Sequence, residues 1–309
     1  MTRFIIVKKD KVFSFIIALL ISFVFISSYY FFITQNNAIE TLTLINQKNT
    51  MEFDFDGDGE NDKLEIVKEN NNYILKIECK GETYTLTTSE NSILLGDSIS
   101  KWPIKLNFLD ISRDNIPEII IQLSKENHPV NYIFTWDNSK FTNVFSSTDN
   151  IVGVLNSNNN KSPELLSLSS SKGDDSIKSF ILSGNTLKDI TFSKLKVPGL
   201  SVIQSFIDVI EAPYELSELP NIFTPTININ DLPILWGLAK DKIRYSFQNG
   251  YFTDFKWDSN GNVTGITWTI SFEANQNSET SLPAKELLFS LKVEDDGYGS
   301  LKISSIKKL

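Results

Sequence analysis

Between two stretches that read as β-strand lies Asp54-Phe55-Asp56-Gly57-Asp58-Gly59-Glu60-Asn61-Asp62, the run that most constrains how this chain folds. With Asp54 as position 1, Asp56, Asp58 and Asp62 fall at positions 3, 5 and 9, Gly59 at position 6 and Glu65 at position 12. Loops that wrap a hard cation have this spacing: alternate side chains turn inward, the Glu60 carbonyl at position 7 adds an oxygen, and glycine permits the sharp turn. Calcium, which takes ~6–8 oxygens, is the expected ion. So many carboxylates repel one another without a cation; the competing reading is an acidic turn that binds nothing. In a strand starting at Lys63, Leu64 and Ile66 share one face while Glu65 points to the other, so Glu65 is only an additional candidate ligand.

The flanks exclude an EF-hand, which needs a helix on each side. Leu64, Ile66, Ile74, Leu75 and Ile77 lie in alternating or β-branched runs broken by Glu69-Asn70-Asn71-Asn72, which reads as strand, turn, strand. Two weaker copies of the loop follow. Asp110-Ile111-Ser112-Arg113-Asp114-Asn115-Ile116-Pro117-Glu118 leads into Ile119–Ile121, and Asn156-Ser157-Asn158-Asn159-Asn160-Lys161-Ser162-Pro163-Glu164 leads into Leu165–Leu168. The second copy keeps Asp110, Asp114 and Glu118 but has Ser112 at position 3 and no glycine. The third has no aspartate and is expected to be a metal-free turn. Each copy is preceded by an apolar run and followed by a hairpin, which makes four strands per unit, the plan of a propeller blade.

Over roughly residues 45–195 the chain resembles the FG-GAP/VCBS repeats, whose integrin-α-like β-propellers carry calcium in such loops. The resemblance implies side-chain ligands at Asp54, Asp56, Asp58 and Asp62. Three units are fewer than the ~4–8 blades of closed propellers, so a partial propeller, an open stack of sheets and closure with other segments are all compatible with the sequence.

After Pro198-Gly199 the repeat ends. Apolar residues at Val202, Ile203, Phe206, Ile207 and Ile210 predict a helix from Ser201, its N-cap, to Ala212 before Pro213, and a second helix is expected from Asp231. Strand-like runs follow at 243–247, 251–257, 263–272, 286–293 and 300–306. The expected organisation is a flank and anchor over 1–35, three β repeats over 36–197, and a small α+β domain over 198–309, loosely similar to cystatin/NTF2-type domains in element order alone. The fold class is mainly β.

Val12 to Ile33 is an uncharged apolar stretch long enough to span a bilayer, which takes ~20 helical residues. Arg3, Lys8, Lys9 and Lys11 precede it, so the positive-inside rule leaves the N-terminus in the cytoplasm and the bulk of the chain outside a single-pass cell-membrane anchor. A cleaved signal peptide competes with this reading, but Ser27-Ser28-Tyr29-Tyr30-Phe31-Phe32 offers no small-residue cleavage site. The single cysteine, Cys79, permits no internal disulfide and reads as a small buried hydrophobe; a cysteine-poor exported protein suits the exterior of a Gram-positive bacterium, and the Asn-, Ile- and Lys-rich composition an AT-rich bacterial genome. Setting aside the four basic and one acidic residues of 1–11 takes the net charge from −9 to −12, a poor match to nucleic acid.

Catalytic patterns are absent. His128 is the only histidine and lies in a polar stretch, and no nucleophile elbow or phosphate-binding glycine loop is present. Glu211, Glu215 and Glu218 are the candidates for a carboxylate pair acting on envelope glycans. Trp102, Trp136, Trp236, Trp257 and Trp268 read as core more readily than as a sugar-binding face. The sequence thus points to a non-enzymatic, membrane-anchored, calcium-stabilised repeat protein that meets an envelope protein or glycan, with a glycan hydrolase as the alternative.

Overall fold

The computed structural model describes Ser22 and residues 49–170, 176–192, 196–228, 230–276 and 283–309. The expected anchor over 12–33 lies outside the described residues, Ser22 excepted. Among the described residues no helix is long and apolar enough to cross a membrane.

The described chain is mainly β, its strands paired antiparallel except for one parallel strand pair, with one isolated parallel bridge between Phe223 and Ile303. Three four-stranded meanders follow the repeat. The first is β1 (Thr50–Phe53), β2 (Asp62–Glu69), β3 (Asn72–Cys79) and β4 (Glu82–Thr85). A two-residue strand, β5 (Gly96–Asp97), then bridges to the second: β6 (Lys105–Leu109), β7 (Glu118–Lys125), β8 (His128–Trp136) and β9 (Phe141–Ser147). The third is β10 (Ile151–Leu155), β11 (Glu164–Leu168), β12 (Lys178–Ser183) and β13 (Thr186–Asp189). Tight turns join the hairpins where both central residues take positive φ: Asn70-Asn71, Lys80-Gly81 and Glu126-Asn127. That is the twist-matched geometry of two-residue hairpin loops.

Alternation decides how the meanders pack. In β7, Ile119, Ile121 and Leu123 enter a core shared with Leu64, Leu75 and Ile77 of the first meander. Ile120, between them, faces the opposite way into a second core with Ile133, Phe145, Val152 and Leu165. The middle meander is therefore buried on both faces, and the three meanders form a stack. Each fully buried Ile or Phe in these layers contributes ~1.5–3 kcal/mol.

Helix α1 (Leu200–Glu211) and the single-turn α2 (Pro233–Trp236) precede four long strands: β14 (Ile243–Trp257), β15 (Val263–Gln276), β16 (Lys285–Asp295) and β17 (Leu301–Lys308). The runs expected separately at 243–247 and 251–257 are one strand, carried across Gln248 by a bulge. The helix cap also differs from expectation: Gly199, with φ +75°, occupies the N-cap position in place of Ser201. A residue with a Cβ at 199 would have to adopt left-handed backbone.

β10 pairs in parallel with β14, Gly153 opposite Phe252, so strands from both sides of residue 198 share one eight-stranded sheet. Gly153 admits this pairing because a Cβ there would lie 2.4 Å from the Phe252 ring. The outer face of β10 and β11, the buried face of α1 and the inner faces of β14–β17 make the third core, around Phe206, Trp268, Phe272 and Phe289.

Candidate metal site and its two echoes

The first loop is closed by pairing of Phe53 with Asp62. The Asp62 carboxylate turns inward, and its Oδ2 accepts the N–H groups of Phe55 at 2.7 Å and Asp56 at 3.2 Å. Phe55 is fully buried against Phe53 and Phe108, pinning the base of the loop to the core. Asp54 folds over the turn, its two oxygens accepting Gly57 N–H at 2.7 Å and Gly59 N–H at 2.9 Å. Gly57 and Gly59 have φ of +76° and +88°, and a Cβ on Gly57 would strike Ile116 of the second loop.

Each of Asp54, Asp56 and Asp58 offers a carboxylate oxygen within 4.8 Å of the others. A second group, sharing Asp56, adds Asp62 and the Cys79 thiol. The donor set fits calcium, which prefers hard oxygens from flexible carboxylates. The thiol does not belong to it: burial and the Asp62 charge push the Cys79 ionisation up, so it stays a protonated donor to Asp62. Burial also raises the Asp62 pKa, against the pull of the Phe55 N–H bond. The Glu60 N–H bond to Asp58 holds Asp58 below the usual carboxylate range.

Sequence reasoning missed Lys80. Its ammonium lies 2.9 Å from Asp56 and 3.2 Å from Asp58, and these contacts push its own pKa up. It thus stands beside two of the three clustered carboxylates, where positive charge is most stabilised. Its side chain is 61% solvent-exposed and free to swing away. The antiparallel β2–β3 pairing, with Lys63 opposite Glu78, returns the end of β3 to the loop, and no residue pattern at Lys80-Gly81 signals it.

Of the expected ligands, Asp54, Asp56, Asp58 and Asp62 are gathered. The Glu60 side chain is exposed and its N–H is held by Asp58. Glu65 belongs to neither carboxylate group; it sits in β2 opposite Thr50 and Lys76, on the exposed face.

The second loop repeats the first almost atom for atom. Leu109 pairs with Glu118, whose Oε2 accepts Ile111 N–H at 2.6 Å and Ser112 N–H at 3.2 Å. Asp110 accepts the N–H groups of Arg113, Asp114 and Asn115. Arg113 and Asn115 take positive φ at positions 4 and 6, so asparagine supplies the conformation for which the sequence lacked a glycine. Ser112 at position 3 leaves this loop short of one carboxylate, and burial pushes Glu118 up to about 7.

The third loop keeps the closing pair, Leu155 with Glu164, and changes the anchor. Glu164 turns to Ser179 instead. The acid that receives Asn156 N–H at 2.7 Å and Ser157 N–H at 3.0 Å is Asp254 of β14. Three carbonyls of this loop, from Asn156, Asn159 and Lys161, accept hydrogen bonds from the Arg113 guanidinium. Each loop therefore grips the next: Ile116 under Gly57, Arg113 on the third loop, and Lys161 Nζ on Gly261 O at 2.7 Å in the β14–β15 turn.

The other candidates are not drawn together. His128 is exposed at the start of β8. Glu211 accepts the Phe247 N–H at the end of α1, while Glu215 and Glu218 are exposed in the connector. Trp102, Trp136 and Trp268 are buried, and Trp236 is an exposed exception. No protein-family model matches the chain, and no curated protein matches it.

Proposed function

We propose that this chain is a non-enzymatic, extracytoplasmic binding protein, held to the membrane by residues 12–33, whose FG-GAP/VCBS-like repeats are stabilised by calcium in the first loop. The observation that carries the reading is the convergence of Asp54, Asp56 and Asp58, with the Lys80 ammonium resting beside two of them. Asp62 completes the side-chain set and ties the ion to the core through Phe55. Bound calcium supplies a divalent charge that outcompetes Lys80 and cross-links the loop. Loops 1, 2 and 3 grip in series, so rigidity gained at the first passes along the end of the stack. Extracellular modules of this kind work with affinities of ~10⁻⁴–10⁻³ M.

Thermal unfolding of the full chain in calcium and in chelator tests this, beside an Asp56→Ala, Asp58→Ala double variant. Calcium at ten times its dissociation constant adds about 1.4 kcal/mol, a rise of about 2–4 °C in Tm for a chain of this length. The rise is expected in the parent and absent in the variant. Equal midpoints in the parent with and without calcium would reduce the loop to an acidic turn closed by Lys80.

A further inference from the structure

A cleft of about 440 Å³ opens where the three meanders meet, away from the metal loops. Its wall is aromatic: the partly exposed Phe180 of the third meander, backed by the largely buried Tyr132 and Phe145 of the second, the two phenylalanine rings packed edge to face at 5.4 Å. Facing the wall is a hydrogen-bonded cluster. Asp149 Oδ2 accepts the hydroxyls of Ser147 at 3.0 Å and Ser167 at 2.8 Å, and these two hydroxyls lie 3.0 Å apart. The Lys178 ammonium reaches the same oxygen at only 3.5 Å, from a side chain 57% exposed. Asp149 is held in place by its own carbonyl, which accepts the Asn131 amide at 2.6 Å.

We infer that this cleft is a binding site for a neutral oligosaccharide. A sugar ring carries a C–H face and a rim of hydroxyls that each donate and accept, and the cleft offers an aromatic wall opposite hydroxyls and a carboxylate. Its rim charges cancel, Lys125 and Lys178 against Glu90 and Asp149, so a polyanion or polycation meets like charge on entry. The volume falls at the small end of ligand pockets, ~300–1,000 Å³, and suits a short glycan segment. The site deepens the binding role proposed above and rests on it only for that role: none of its lining residues is a metal-loop carboxylate.

The test is isothermal titration calorimetry of the full chain with chitotetraose, cellotetraose, maltotetraose and mannotetraose, each up to about 10 mM, enough to register a ~1 mM constant. At least one is expected to saturate, and Phe180→Ala and Asp149→Ala each to weaken it about tenfold or more. Lys178→Ala, at the exposed rim, serves as the second variant should Asp149→Ala fail to fold; it should shift affinity for the same sugar. Heat from none of the four, or binding that survives both Phe180→Ala and Lys178→Ala unchanged, overturns the proposal. Saturable sugar binding in a chain that gains nothing from calcium would sustain this site and overturn the calcium reading alone. A calcium response without sugar binding does the reverse.

Discussion

The first and third loops close on equivalent strand pairs, β1–β2 and β10–β11, and are anchored by acids of very different origin. In the first, Asp62 sits at the head of β2 and receives the N–H groups of its own loop. In the third, the N–H groups one place earlier, those of Asn156 and Ser157 at positions 1 and 2, go to Asp254, far along the chain, because β10 lies parallel to β14. The difference teaches that the buried anion beneath the loop is a structural requirement separable from metal binding. A loop can lose every inward aspartate and stay closed, provided some carboxylate reaches two successive N–H groups at its start; its backbone changes, since positive φ moves from positions 4 and 6 to Asn156 at position 1.

The largest test of that separation is Asp254→Ala. It leaves Asn156 N–H, Ser157 N–H, the Ser157 hydroxyl and Trp257 Nε1–H without their shared acceptor at a buried site. A loss of about 3–5 kcal/mol is expected by urea denaturation, whereas Glu164→Ala, which removes the position-9 acid of the same repeat, should cost about 1 kcal/mol. Equal costs for the two would break the comparison, since the motif acid would then matter as much as its replacement.

Next in size is the pH response of the second loop. Glu118 titrates at about 7 in the folded chain against 4.5 unperturbed, chiefly through burial. Between those values the folded state holds a proton that the unfolded state has released, so its contribution favours folding below about 4.5 and is lost as pH rises to about 7. At 1.36 kcal/mol per unit the loss is about 3 kcal/mol. Glu118→Gln keeps an acceptor for Ile111 and Ser112 without the titration. The parent's stability should therefore fall relative to the variant's between about pH 5 and pH 8 in chelator. Parallel profiles would mean that Glu118 is ionised throughout, as a metal-bound or well-solvated carboxylate would be. Asp62, also raised by burial, gives a contribution of the same sign in the first loop.

Much of this was legible, and the residues show where legibility stopped. Aspartate spacing located the first loop because every inward group lies within one turn. Ile119, Ile120 and Ile121 read as an apolar strand after the second loop, and only the structure shows it buried on both faces. The second loop looked broken without its glycine, yet Asn115 adopts the same left-handed backbone, a substitution visible in φ and not in composition. Asp254 had no local signal, since its role depends on a parallel pairing set by Gly153 beneath Phe252. The helix start was misplaced by two residues because serine is a good N-cap in general, while position 199 takes left-handed backbone and a Cβ there would lie 3.0 Å from Val293, which favours glycine.

Lys80 was hidden for a similar reason. Nothing in Lys80-Gly81 marks a counterion, and its reach to the first loop follows from the β2–β3 register, in which Lys63 faces Glu78 and the strand end comes back beside Asp62. Among the three loops only the first has its position-3 and position-5 carboxylates ion-paired with a lysine, so Lys80→Met is the finest probe of how it differs from the third. Because the side chain is mostly exposed, losing it in chelator should leave the urea midpoint nearly unchanged. In calcium the effect should be larger. The ion no longer has to displace an ammonium from Asp56 and Asp58, and its dissociation constant should tighten about threefold to tenfold, readable by calorimetry. An unchanged calcium constant would show that Lys80 swings clear before the ion arrives, leaving the three aspartates alone to set the affinity.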